Sequence, residues 1–218
     1  MRKQKMVLNI LLAAGLTIGT GVFGHADTLF SDNFDSDAAA SALNFEGLAN
    51  WTVSEGTIDY IRNAGFGIAC DGGAGGCLDM DGSTSNAGRI TTMDTFNLAA
   101  SEWYYLEGQV SGNQRGGSAD WITFGIRDVG SDSSLISATW GAIPHNAPFS
   151  TYSFGFSLGS DYIVRLYIEG FGADNVGPIL DNVVFSDRTA PIPEPASLLL
   201  LGTGLGVIGL GTWRRKRA

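Results

Sequence analysis

Runs in which apolar and polar residues alternate dominate the middle of the chain. In residues 162–169 every second side chain is apolar, and Arg165 and Glu169 lie on the opposite face. Because side chains of a β-strand point alternately to the two faces of a sheet, this period of two predicts strands buried on one face. The pattern is clearest in six segments: Trp51–Ile61, Tyr104–Val110, Trp121–Arg127, Thr151–Leu158, Tyr162–Glu169 and Ile179–Phe185.

Gly, Asn, Asp and Ser separate these segments, and no helical period is visible between the two ends of the chain. Half-buried antiparallel strands need a second sheet to cover their apolar faces. The sequence therefore predicts an all-β domain over residues 27–190, built as a two-sheet antiparallel β-sandwich with jelly-roll topology.

The amino end has the three parts of a secretory signal peptide. Arg2, Lys3 and Lys5 precede an apolar stretch, Met6–Val22, and small residues follow up to Ala26. We expect residues 1–26 to form a signal helix that is cleaved after Ala26.

The carboxy end reads as a short membrane anchor. Prolines punctuate residues 191–195, and the 18 residues from Ala196 to Trp213 carry no charge. In a helix they would extend over about 27 Å, close to the thickness of a bilayer core. Four cations follow at once, which places that end in the cytoplasm. These residues predict a transmembrane helix over 196–213.

The order of these carboxy-terminal features resembles the PEP-CTERM sorting signal of Gram-negative bacteria. The resemblance implies export through the secretory pathway, transient anchoring in the inner membrane and recognition by an exosortase. It also implies delivery to the cell surface or extracellular matrix, in bacteria that produce exopolysaccharide and biofilm. The sorting signal would span residues 191–218. Its motif residues would be Pro193, Glu194 and Pro195, and its basic tail Arg214, Arg215, Lys216 and Arg217.

Charge limits the partners of the middle domain. The chain has a formal net charge of −9, and residues 27–190 contain all but one of its 22 acidic residues, six arginines and no lysine. A field of this sign repels nucleic acid and favours solubility and divalent cations, so we expect no nucleic-acid partner.

Two cysteines, Cys70 and Cys77, lie in the stretch "CDGGAGGC". In an exported chain a pair this close predicts a disulfide, which would stabilise the fold by about 2.5 kcal/mol. The rival interpretation, a nucleotide-binding glycine loop, lacks the strand-then-helix context and the lysine that such loops need.

The inventory of catalytic residues is small, and we predict no enzyme. His145 is the only histidine after the signal peptide, and a Ser-His-Asp set would have to be built on it. A hydrolase that uses two carboxylates stays open as an alternative, because many acidic residues are present.

Oxygen-rich segments favour a calcium site. "FSDNFDSD" and "LDNVVFSD" crowd carboxylates and amides, which suit a cation that takes six to eight oxygen ligands. The candidate ligands of a structural calcium are Asp32, Asp35 and Asp181. The alternative is that these side chains bond the local backbone in turns.

"DNFDSD" at the start of the domain and "GPILDNVVFSD" at its end are similar to carbohydrate-binding and galactose-binding-like jelly rolls. The resemblance implies that the first and last strands lie near each other, with a structural calcium close by.

Sugar sites combine flat aromatic faces with planar hydrogen-bonding groups. We expect Trp51 and Trp121 to be buried, because each begins a strand, and Trp103 and Trp140 to be exposed. "GNQRGGSADW" predicts a loop between two strands. The candidate ligand residues are Trp140, Trp103, Asn113, Gln114 and Arg115.

The sequence thus predicts an exported, exosortase-sorted and non-catalytic β-sandwich that binds extracellular polysaccharide. Two alternatives stay open. The first is a structural or adhesive domain that binds protein, and the second is a secreted hydrolase.

Overall fold

The computed structural model describes residues 27–84, 86–172 and 174–187. The predicted signal peptide, sorting motif and transmembrane helix lie outside these residues. The described chain forms twelve strands: β1 (Thr28–Asp32), β2 (Trp51–Glu55), β3 (Asp59–Arg62), β4 (Gly76–Asp79), β5 (Arg89–Thr92), β6 (Phe96–Leu98), β7 (Trp103–Ser111), β8 (Asp120–Asp128), β9 (Ser134–Ile143), β10 (Ser150–Ser157), β11 (Tyr162–Phe171) and β12 (Ile179–Ser186). Two single 3₁₀ turns, Gly65–Gly67 and Asp71–Gly73, lie between β3 and β4. Across the described ranges, no helix has the length and apolar character needed to cross a membrane.

The strands pair into two six-stranded antiparallel sheets. Sheet A has the order β10-β7-β12-β4-β3, with β1 also paired to β12, and sheet B has the order β2-β5-β11-β8-β9, with β6 also paired to β11. The first and last strands are therefore direct neighbours, with Ser31 opposite Val184. The predicted all-β sandwich of two antiparallel sheets is confirmed.

Alternation along the strands builds the core between the sheets. In β11 the side chains of Val164, Leu166 and Ile168 are fully buried. In β8 the fully buried side chains are Ile122, Phe124 and Ile126, which have the same parity. Residues of the opposite parity point outward, so each sheet has an outer face whose side chains can be read from the register.

Four of the six predicted strand segments fall within single strands, Thr151–Leu158 extends one residue beyond β10, and the first is divided. Residues 51–61 divide into β2 of sheet B and β3 of sheet A. Gly56 lies at the crossing, with a φ of 59°, and a Cβ there would come within 2.0 Å of the Ala87 carbonyl oxygen. Because only glycine fits this left-handed and crowded position, the chain can leave one sheet and enter the other.

The predicted disulfide between Cys70 and Cys77 is confirmed. It lies in a loop that packs on the outer face of sheet A. A second cluster of buried side chains forms there: Ile61, Ile68, Cys70, Cys77 and Ile179. The loop therefore covers the part of the outer face of sheet A that β3 and β4 form.

Candidate functional site

The residues predicted to bind a ligand lie at two ends of the molecule. Trp103 begins β7, and the segment 113–115 follows its last residue, Ser111. The eight steps between these ends of β7 correspond to about 27 Å. The structure therefore does not bring Trp103 together with Asn113, Gln114 and Arg115.

Asn113, Gln114 and Arg115 bond the protein itself. The buried Asn113 donates to Asp120 Oδ2 at 2.9 Å. The amide of Gln114 both accepts from the Ala69 backbone N–H at 3.0 Å and donates to the Ala69 carbonyl at 2.8 Å. Arg115 pairs with the carboxylate of Asp79. These side chains hold the loop against its neighbours.

The expectations for the tryptophans are half right. Trp51 is fully buried and Trp103 is 55% exposed, which confirms those two. The prediction for Trp121 is wrong, because its side chain has the parity opposite to the core residues of β8 and is 51% exposed. The prediction for Trp140 is also wrong. It is opposite the core residue Ile122, and its ring packs edge-on against Phe124 at 5.2 Å.

The three candidate calcium ligands all accept hydrogen bonds from the protein itself. Asp32 accepts hydrogen bonds from the Phe34 N–H at 2.8 Å and from the indole of Trp51 at 3.0 Å. Asp35 and Asp181 lie near each other, and Asp35 accepts from the Gly76 N–H at 2.7 Å. Burial raises the pKa of Asp181 to about 7, and the charges of Asp71 and Asp35 raise it further.

In the part of the chain that is described, one group of three metal-ligating side chains has its ligand atoms within 4.8 Å of one another: Cys70, Cys77 and Asp181. The two cysteines are joined as a disulfide and are not available as thiolate ligands. Calcium binding by Asp32, Asp35 and Asp181 stays a prediction.

A second set of carboxylates is buried where β4, β8 and the connection from β11 to β12 meet. Burial raises the pKa of Asp79 to about 7, although the N–H groups of Asp81 and Gly177 oppose that shift. Burial likewise raises the pKa of Asp120 to about 6. Asp81 is fully buried, and its Oδ1 has no hydrogen-bond partner within the described residues. These groups are closed off from solvent.

The outer face of sheet B carries an aromatic pair at one end. Trp121 of β8 stands opposite Phe171 of β11, and their side chains are 51% and 45% exposed. A Cβ on Gly141 of the neighbouring strand would lie 2.7 Å from Cε3 of Trp121, so the indole covers bare backbone. Two large aromatic surfaces are thereby presented to solvent side by side.

Hydroxyl groups and a buried tyrosine occupy the middle of the same face. Thr123 Oγ1 and Thr139 Oγ1 are 2.7 Å apart across β8 and β9. The Tyr167 hydroxyl lies 3.0 Å from Ser134 Oγ, and its ring covers Gly125, where a Cβ would come within 2.5 Å of the ring. Tyr167 is thus held flat against the sheet.

A groove of about 430 Å³ occupies the other end of this face. Its walls contain three arginines, Arg89, Arg127 and Arg165. The Arg89 guanidinium bonds Glu55 at 2.7 Å and Glu169 at 2.9 Å, and it lies 5.4 Å from the centre of the Tyr167 ring. From Phe171 to Arg165 the face extends over about 20 Å along β11.

Sequence reasoning missed the residues of this face. The parity of Ile122, Phe124 and Ile126 was available in the sequence and places Trp121 outside. The approach of Arg127 to Arg165 depends on the register between β8 and β11, which no local pattern reveals.

Residues 191–216 match the model of the PEP-CTERM protein-sorting motif. The chain carries a PEP-CTERM sorting signal. This confirms the resemblance seen in the sequence, and it indicates an exported protein that is sorted at the membrane. The signal implies processing by an exosortase.

The fold is similar to solved structures that share little sequence with it. An arabinose-bound α-L-arabinofuranosidase, MgGH51, superimposes with a TM-score of 0.50 at 12% identity, over 71% of this chain and 25% of that chain. The CBM22-1-CBM22-2 tandem of Paenibacillus barcinonensis Xyn10C gives 0.48 at 16% identity, over 80% of this chain and 49% of that chain. TmCBM61, in complex with β-1,4-galactotriose, gives 0.41 at 9% identity, over 64% of this chain and 90% of that chain.

The chain therefore spans a quarter of the arabinofuranosidase and about half of the tandem. At these identities the likeness is one of fold, and carbohydrate-binding modules are prominent among the similar folds. No curated protein sequence matches the chain.

Proposed function

We propose that this protein is an exported, exosortase-sorted and non-catalytic binding protein whose jelly-roll sandwich holds a polysaccharide at the cell surface or in the extracellular matrix. The binding site is the outer face of sheet B. One observation carries the proposal: the half-exposed aromatic pair Trp121 and Phe171 lies on the same face as a groove lined with polar side chains.

The chemistry of this face suits a sugar chain. Sugar rings present C–H surfaces that pack on aromatic rings, and their hydroxyls exchange hydrogen bonds with polar side chains. Trp121 and Phe171 supply the aromatic surface. The exposed Thr139, whose hydroxyl lies 2.7 Å from that of the buried Thr123, supplies a hydroxyl beside it, and the groove supplies charged donors and acceptors.

The rigidity of the face supports the same function. Tyr167 is only 5% exposed, bonds Ser134 and lies against Gly125, so the centre of the site does not have to be ordered when a ligand binds. A site that is already ordered loses little conformational entropy on binding, which favours affinity.

The buried carboxylates favour binding over hydrolysis. A glycosidase needs two carboxyl groups that reach the scissile bond. Asp79 and Asp120 have raised pKa values, but they are 0% and 2% exposed and bond Arg115 and Asn113 inside the protein. We assign them to the folding of the loops around them.

The route to the cell exterior follows from the sorting signal. We propose that the anchor holds the protein in the inner membrane until the exosortase cleaves it near Pro193, Glu194 and Pro195. A polysaccharide ligand would then connect the released or attached protein to exopolysaccharide and biofilm.

Two matched tryptophan variants of the full-length chain, purified in a mild non-ionic detergent, test the site. Binding is measured by affinity electrophoresis in gels that contain soluble polysaccharides. We expect W121A to weaken binding by about tenfold, because a central tryptophan carries a large share of a binding free energy. W103A removes a comparably exposed tryptophan from the other sheet and should leave binding unchanged. Equal affinity of W121A and wild type for every bound polysaccharide would overturn the assignment.

A further inference from the structure

We infer that the groove on sheet B binds an anionic group of the glycan, a uronate carboxylate or a sulfate ester, at Arg165 and Arg127. The inference rests on the proposed function, because it names the class of polysaccharide that the same face takes. It arises from the arrangement of charge in the groove and not from the aromatic pair.

Arg165 and Arg127 are directly opposite each other in neighbouring antiparallel strands. Side chains in such a pair begin about 5 Å apart, and like charges in that arrangement destabilise a sheet. Both arginines are half-buried, so solvent screens their repulsion only in part. The fold therefore keeps two cations together at a cost in stability.

The acidic residues around the groove are already engaged. Glu55 bonds Arg89 at 2.7 Å, and Asp132 bonds Arg127 at 3.2 Å. The carboxylate of Asp128 accepts hydrogen bonds from the N–H and hydroxyl of Ser131 at 2.8 and 2.7 Å, which lower its pKa. Each of the three carboxylates that line the groove is thus held by a group other than Arg165.

The side chain of Arg165 makes no hydrogen bond and no ion pair with any residue in the ranges 27–84, 86–172 and 174–187. Its guanidinium lines the groove with five N–H donors uncommitted. A guanidinium binds a carboxylate or a sulfate through two parallel hydrogen bonds, and such an anion would also relieve the repulsion from Arg127.

The remaining walls fit a sugar ring. Thr52, Ser54 and Thr91 bring hydroxyls from β2 and β5, and Met93 and Val129 bring apolar surface that is 50% and 38% exposed. An acidic sugar unit in this groove would continue the chain that packs on Trp121 and Phe171. The groove would select for charge, and the aromatic pair would bind neutral and charged chains alike.

Isothermal titration of the full-length protein at low salt tests this with matched probes. One pair is an oligogalacturonate and its methyl ester, which share a backbone and differ in charge. The second pair is a sulfated galactan oligosaccharide and its desulfated form. We expect an anionic probe to bind about tenfold more tightly than its neutral partner, the size of one hydrogen bond to a charged group. The pair with the larger difference in affinity shows whether the groove takes a carboxylate or a sulfate.

R165Q should abolish this preference while affinity for the neutral probe is kept. R62Q makes the same charge change on sheet A and should keep the preference. Without ligand, R165Q should melt at a temperature equal to or above that of wild type, because the repulsion from Arg127 is gone. A lower melting temperature for R165Q would overturn the role that we assign to the arginine pair.

The outcomes separate the two proposals. If charged and neutral probes bind equally well, or if R165Q keeps the preference, the anionic inference is wrong and the glycan-binding face stands. If no probe of either pair binds, both proposals fail.

Discussion

Trp121 and Trp103 occupy equivalent places on opposite faces of the sandwich. Each lies at the start of an interior strand, and the two are 51% and 55% exposed. The loop closed by Cys70 and Cys77 covers part of the same face near the other end of β7, and Trp103 itself stacks on Tyr105 at 6.4 Å. Trp121 lies on the same outer face as the arginine groove.

The comparison teaches that exposure of a tryptophan does not define a binding site. What distinguishes the two faces is the continuity of surface beyond the ring. Sheet B joins aromatic, hydroxyl and cationic groups along about 20 Å of one strand. The comparison also shows that a strongly acidic chain can concentrate its arginines in one place. The net charge of the chain therefore does not predict the charge of its ligand.

The largest effect is expected on the covered face. Replacement of both Cys70 and Cys77 by serine should lower the free energy of unfolding by about 2–5 kcal/mol, because the loop over sheet A loses its closure. Denaturation by urea measures the change. Affinity for polysaccharide, measured where both proteins are folded, should stay at the wild-type value. A loss of affinity would show that the two faces are not independent.

A pair of glycine variants compares the rigidity of the faces. Gly125 lies beneath Tyr167 on sheet B, and Gly155 lies beneath Tyr105 on sheet A, with added Cβ atoms 2.5 and 2.8 Å from the rings. G125A should cost about 1–3 kcal/mol in unfolding free energy, since the buried ring cannot move aside. G155A should cost less, because Tyr105 is partly exposed and can turn outward. Equal losses of unfolding free energy in G125A and G155A would contradict the proposal that the centre of the site is rigid.

The pH dependence of stability should differ from that of binding. Asp79 and Asp181 have pKa values of about 7 in the folded protein, both raised by burial. A carboxyl group whose pKa is raised in the folded protein contributes to the stability of the fold at low pH. This contribution is complete below the pKa of the same group in the unfolded chain, about 4, and is lost as pH rises through 7. We therefore expect stability in EDTA to fall from pH 5 to pH 7.5.

Glycan affinity should not follow this decline and should be constant from pH 5 to pH 7.5, because guanidinium groups do not lose their proton in this range. D79N is the check on stability, because it removes one of the groups that titrate in this range and should flatten the decline. Stability that rises over this range would contradict the assignment of raised pKa values.

The smallest effect concerns calcium. If Asp35 and Asp181 bind the ion, a tenfold excess of calcium over its dissociation constant should stabilise the fold by about 1 kcal/mol relative to EDTA. D181N should abolish the shift, and D128N, which changes an exposed carboxylate on sheet B, should not. Identical melting temperatures in calcium and EDTA would show that this fold does not bind a structural calcium ion.

Local patterns predict the long strands β7, β8, β10, β11 and β12, but they miss the short strands β4 and β5 and do not give the register. The alternation of Val164, Leu166 and Ile168 identifies β11, because both of its neighbours and the facing sheet demand that period. β9, "SLISATWGAI", was not among the predicted strands. It is an edge strand with most side chains exposed, so burial imposes little pattern on it.

The candidate site depended on information that the sequence does not carry locally. Asn113, Gln114 and Arg115 have the chemistry of a ligand site, yet they bond the chain because the fold brings Ala69 and Asp79 to them. Trp121 could have been placed outside by counting from Ile122. The meeting of Arg165 with Arg127 required the register of two strands that are distant in sequence.

Fluorescence quenching can locate the glycan on one of the two faces. Acrylamide quenches the fluorescence of tryptophans that solvent can reach. Quenching of W103F and of W121F is measured with and without an oligosaccharide that the protein binds. We predict that the oligosaccharide protects the exposed emission of W103F, in which Trp121 remains, and has no effect on that of W121F. Protection in W121F with none in W103F would place the ligand on sheet A and contradict the site described for sheet B.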